Sequence, residues 1–133
     1  MHRTPEIVFR AMKEGSDGKP RTGNSAITLG VRIEGSHADI QIDSQGQVHP
    51  KTGGMSVTPD DYRQLPKHRL PESLSGRGRH PIFSFQIANL PSTLALRKDK
   101  PGHALVEPSK SCLFEEYEQN LHGTREDWVK CHE

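Results

Sequence analysis

Four places in this sequence hold residue types that suit chemistry on a phosphorylated ligand. The first is Thr52-Gly53-Gly54-Met55-Ser56-Val57-Thr58. Gly53 and Gly54 permit positive φ and a close approach of backbone to a ligand. Ser56 follows where a turn enters an extended run, so its hydroxyl would be held on rigid backbone beside free N–H groups, as a ribose or phosphate requires. A plain glycine turn ahead of a strand fits the same letters. The second is Arg10, the one charged residue in the apolar run from Ile7 to Met12. A charge inside such a strand costs free energy unless it is paired. Alternation would turn Arg10 to solvent. In a cleft, its planar donor fork would wait for a phosphate or carboxylate. The third is the pair His103 and Glu107, four apart in a strand and so on one face, as an acid–base pair or as a solvated edge. The fourth is His68-Arg69, restrained in its loop by Pro66 and Pro71.

These residues need elements to position them. Glu6 to Met12 reads as a first strand, closed by the turn residues Gly15 to Gly18. Residues 26–33 read as a second extended stretch or the start of a short helix, and 37–42 alternate as a half-buried strand does. Gln45-Gly46 makes a turn. Met55 to Val57 opens a strand that stops at Pro59, and residues 60–65 allow one or two helical turns. From Pro66 to Pro81 three prolines and two glycines predict a long loop. Ile82 to Ile87 is the clearest strand. Residues 93–97 and 103–107 read as two more, joined by a turn over 98–102. Leu113, Tyr117 and Leu121, with Phe114 beside them, form one apolar helix face. Ser111 would cap that helix, Gly123 would close it, and Thr124 would cap a last short helix carrying Trp128. The expected architecture is α+β, a mostly antiparallel β core with one or two C-terminal helices.

Composition bounds what such a domain can be. With 133 residues the chain makes one domain, 1–133, without room for two full cores. Leu, Ile, Val and Phe supply 27 residues, at the edge where chains stop folding, yet the net charge is only +1. A folded domain with a thin core and long loops follows, and 12 Gly and 10 Pro agree. The balance of 18 basic against 17 acidic residues argues against a nucleic-acid footprint. No run nears the roughly 20 apolar residues of a membrane span. No secretory leader is visible, so a cytoplasmic protein with Cys112 and Cys131 as free thiols is expected, a disulfide between them being the alternative. No serine-hydrolase elbow, zinc-protease motif, phosphate-cradling loop or dinucleotide glycine fingerprint occurs. The eight histidines lack metal-ligand spacing, so no metal site is expected.

Three blocks resemble a known family. Asp39 to Asp60, with Gln45-Gly46, Pro50 and Thr52 to Val57, resembles part of a small toxin exported by bacterial type VI secretion. His103 to Pro108 with the helix after it resembles that toxin's C-terminal block, and Val8-Phe9-Arg10-Ala11 its first strand. The matched blocks cover roughly half of the chain. The resemblance implies an ADP-ribosyltransferase-like split sheet, dependence on NAD, action in the bacterial cytoplasm after delivery by a secretion system, and a cognate immunity protein. By position it implies that Arg10 and Ser56 hold NAD and that Ser56 and Glu107 are catalytic. Gly53, Gly54, His68 and Arg69 join the expected NAD site, and His103 the expected catalytic set, on their own chemistry and placement. The family's usual pairing of glutamate or glutamine with the catalytic glutamate two residues on does not occur before Pro108. The alternative is a non-enzymatic module of the same fold that binds a nucleotide or a partner.

Overall fold

The computed structural model describes residues 6–132. Among the described residues eight strands and one α-helix form in the order β1 (Ile7–Ala11), β2 (Gln47–Val48), β3 (Met55–Pro59), β4 (Ile82–Gln86), β5 (Leu94–Lys100), β6 (His103–Pro108), β7 (Cys112–Leu113), α1 (Phe114–His122) and β8 (Val129–His132). Six strands make one antiparallel sheet in the order β5-β6-β3-β1-β4-β8, and β2 and β7 make a separate two-stranded ribbon. The α+β class with a mostly antiparallel sheet is therefore present, with a single α-helix near the C-terminus.

The sheet is not uniformly stitched. β1 pairs with β4 at five positions, from Ile7↔Gln86 to Ala11↔Ile82. It pairs with β3 at only two, Val8↔Pro59 and Phe9↔Thr58. Beyond those the two strands part, with Arg10 and Ala11 on one side and Val57 and Ser56 on the other.

Alternation along the strands makes two apolar clusters. Val8 of β1 and Met12 just beyond it join Met55, Val57, Phe83, Phe85, Ala104 and Val106 on the face that α1 covers with Phe114, Tyr117 and Leu121. Phe9 points the other way, onto Ile82, Leu65 and Leu70, so the long loop after β3 has its own small core beneath it. Tyr117 is fully buried. Its hydroxyl donates to Val106 O and accepts from Met55 N (3.3 Å), which fastens α1 to the middle of the sheet. Gly53 is required where it stands: its φ is 138°, and an added Cβ would lie 2.1 Å from Asp39 O.

Several expectations shift. Residues 26–33 and 37–42 form no strands. They run as coil tied by isolated bridges at Leu29 and Ile40, with a 3₁₀ turn at Gly35–His37. Residues 60–65 hold a 3₁₀ turn at Tyr62–Gln64. β5 continues to Lys100, so the turn before β6 shrinks to Pro101-Gly102. Ser111 does not cap α1. Cys112 and Leu113 enter β7 first, the N-cap is Leu113, and the Ser111 hydroxyl bonds His49 Nδ1 (2.7 Å). Leu113, expected on the buried helix face, is 52% exposed as a result. The last helix is a single 3₁₀ turn at Arg125–Asp127, followed by β8, which pairs with β4. Cys112 and Cys131 are both free thiols. No helix among the described residues is long and apolar enough to cross a membrane.

Candidate functional site

A cavity of about 240 Å³ opens where β1 and β3 part. Arg10, Ser56, His68, Arg69 and His103 all line it, so five of the eight residues singled out in the sequence meet in one place. Each arrives by a different route. Arg10 and Ser56 come from the two parting strands. His103 opens β6 on the same face as Ser56, because the register Ser56↔Leu105 puts His103 diagonally across. His68 and Arg69 come from the long loop, which the Leu65 and Leu70 anchors hold against Phe9.

Arg10 does not turn to solvent, and although it lines the cavity its donor fork is not held open for a ligand. The side chain is buried, and its donor fork is largely taken by backbone carbonyls. Nε donates to Thr28 O (3.1 Å), Nη1 to Ser56 O (2.7 Å), and Nη2 to Thr28 O (2.8 Å), Ser25 O (3.2 Å) and Gly30 O (3.2 Å). The coil at 25–30 stays out of a ladder because its carbonyls turn inward to this guanidinium. Of the five N–H groups that a guanidinium carries, one on Nη1 has no acceptor among the described residues. Burial lowers the Arg10 pKa to about 10, with Asp39 opposing the fall and Arg69 and Arg32 adding to it.

The cavity is strongly cationic. Three guanidinium groups, Arg10, Arg32 and Arg69, share it with one carboxylate, Asp39. Asp39 is itself committed: Oδ2 accepts from Arg32 N (2.7 Å) and Oδ1 from Arg32 Nη2 (2.9 Å). The Arg69 guanidinium has neither a hydrogen bond nor an ion pair among the described residues. Burial, and then the charge of Arg32, lower its pKa. His80 is held below its ordinary range by burial and then by Lys13, Arg69 and Arg79. A site in which cations depress one another gains free energy when an anion enters. The Ser56 hydroxyl also has no partner among the described residues.

Gly53, Gly54 and Glu107 stand outside this cavity. The glycines make their close approach to the chain itself: Gly54 N donates to Asp39 O (2.9 Å), and Gly53 bridges Ile40. They position Asp39 and the start of β3. Glu107 is buried and closed, its Oε2 accepting from Arg97 Nε (3.0 Å) and from Lys51 N (2.8 Å). Lys51 has φ 66°, so Glu107 pins the left-handed residue that begins the glycine turn.

Arg32, Asp39 and Asp99 were missed in the sequence. Arg32 and Asp39 lie in coil without periodicity. Asp99 falls within the residues read as a turn, yet its Oδ1 lies 2.7 Å from His103 Nδ1. A second relay-like group, Asp43–His49–Ser111, has separations of 2.8 and 2.7 Å but lies on open surface away from the cavity, where it fastens the β2–β7 ribbon. No cluster of three or more His, Cys, Asp or Glu able to hold a metal occurs among the described residues. The chain matches no known protein-family profile and no curated protein.

Proposed function

We propose that this domain binds NAD at the parting of β1 and β3 and acts on it as an ADP-ribosyltransferase-like toxin of the bacterial cytoplasm. The observation that carries this reading is the cavity's charge: three guanidinium groups against one carboxylate, with the Arg69 guanidinium and the Ser56 hydroxyl without partners among the described residues. Charge-assisted bonds from arginine are the strong way to hold a pyrophosphate, and a rigid hydroxyl suits the adjoining ribose. The volume, about 240 Å³, is below the roughly 300–1,000 Å³ of pockets that enclose a whole ligand. It suits one half of a dinucleotide, with the rest lying along the His68-Arg69 loop. Delivery by a secretion system and neutralisation by a cognate immunity protein belong to the same reading.

One observation favours a second reading, a nucleotide-binding module without catalysis. Glu107, the acid expected late in the chain, is closed off by Arg97 and Lys51, and the cavity's only carboxylate is tied to Arg32. Calorimetry with NAD, run beside chromatography for released nicotinamide, separates the two. Binding with release supports the enzyme. Binding without release supports the module, and no binding overturns the NAD reading in either form.

A further inference from the structure

We infer that His103 is the general base of this site and that Asp99 is its positioning residue. The inference rests on the NAD-cleaving reading above and assigns its proton chemistry to a pair of side chains.

The geometry begins in the β5–β6 hairpin. Lys98 pairs with Ala104 and Lys100 with His103, so Asp99 is the extra residue of a β-bulge. A bulge re-aims one side chain out of the strand's alternation. Here it brings the Asp99 carboxylate to His103, Oδ1 to Nδ1 at 2.7 Å. With the carboxylate ionised, Nδ1 carries the ring proton and Nε2 carries the lone pair. Nε2 has no partner among the described residues, and His103 lines the cavity that holds Ser56 and Arg69. A histidine with one nitrogen held by a carboxylate and the other free at a ligand cavity has the orientation of a base.

The chemistry of NAD needs a base more than an acid. Its nicotinamide leaves as a neutral ring, because the pyridinium nitrogen takes the electron pair of the breaking C–N bond. The incoming nucleophile, water or an acceptor hydroxyl, must lose a proton as its oxygen bonds to C1′ of the ribose. His103 Nε2 would take that proton, and the imidazolium would pass it to solvent. Asp99 would stabilise the imidazolium. By holding Nδ1, Asp99 would keep the ring in the orientation and tautomer that leave Nε2 free to take the proton.

The test uses the full chain. His103→Gln and His103→Ala should melt like the parent and bind NAD within about threefold of it by calorimetry. Nicotinamide release should fall roughly 100- to 10,000-fold, the usual contribution of a general base. Added imidazole should restore part of the rate in His103→Ala. Asp99→Asn should lower kcat for nicotinamide release with KM for NAD nearly unchanged, and Asp99→Glu should restore part of the rate. A parent-like rate in either His103 variant, or a parent-like kcat in Asp99→Asn, overturns the inference. If the parent binds NAD but releases nothing, the inference falls and the binding reading stands. If the parent binds no NAD, both fall.

Discussion

The two ends of β6 carry the same kind of promise in the sequence and opposite fates in the structure. His103 and Glu107 share one face of the strand. At the His103 end the face opens on a cavity where Ser56 and Arg69 have no partners among the described residues. At the Glu107 end the carboxylate is buried with Oε2 held by Arg97 and Lys51, and Gly54 N is held by the Asp39 backbone. A shared face therefore does not make a shared site. Groups saturated by their own chain hold the fold, whereas groups left unsaturated are free to meet a ligand. Arg10 tests that rule because it lies in the cavity wall and yet is nearly saturated.

The rule makes its largest demand at Arg10. Arg10→Ala would take a donor from four inward-turned carbonyls, of which Ser25 O keeps the Thr28 hydroxyl, and buried groups losing their partners cost about 1–3 kcal/mol each before relaxation. A net loss of about 3–5 kcal/mol is expected, a melting temperature lower by roughly 10–20 °C at this chain length. A melt within about 2 °C of the parent would show that the carbonyl network is dispensable. Arg69→Ala should do the reverse. Its melt should stay level or rise, because it removes a cation pressed against Arg32, and NAD affinity should drop roughly 10- to 150-fold by calorimetry. A destabilised Arg69→Ala with unchanged affinity would break the comparison.

Glu107→Gln should cost about 1–2 kcal/mol in chemical denaturation, since a buried charge-assisted pair becomes a neutral contact and Arg97 is only partly exposed. NAD affinity should not change. Weaker binding at full stability would bring Glu107 back into the site. The smallest effect is expected far from the cavity. The Arg125 hydrogen bond is the first cause that lowers the Asp17 pKa to about 2, from an ordinary 3.8. A depressed carboxylate contributes stability above its unfolded value and loses it as pH falls through its folded one. Melting temperatures should therefore fall between about pH 4 and pH 2 in the parent and fall less in Asp17→Asn, the difference fading in high salt because the pair is exposed. An identical pH profile would remove any role for this pair in folding.

Local pattern made much of the fold legible. β1, β3, β4 and the Phe114, Tyr117 and Leu121 face follow from β-formers, turn residues and a four-residue repeat. The gathering of Arg10, Ser56, His68, Arg69 and His103 was legible only as separate residues with suitable chemistry. β8 was not legible: Val129 to His132 contains little to mark a strand and exists because β4 offers it an edge. Nor were Arg32 and Asp39, whose pairing depends on how coil folds back on itself.

Residue order alone determined which stretches could extend or coil, where glycine and proline break the chain, and which side chains can bear charge or move a proton. Those properties act over a few residues. Tertiary structure decided which of these groups are spent. Arg10 was consumed by carbonyls 15 to 46 positions away, Glu107 by Lys51 and Arg97, and Asp99 was turned onto His103 by one extra residue in a hairpin. Saturation is a property of distance in space, and the sequence carries no measure of that distance until the strands have paired.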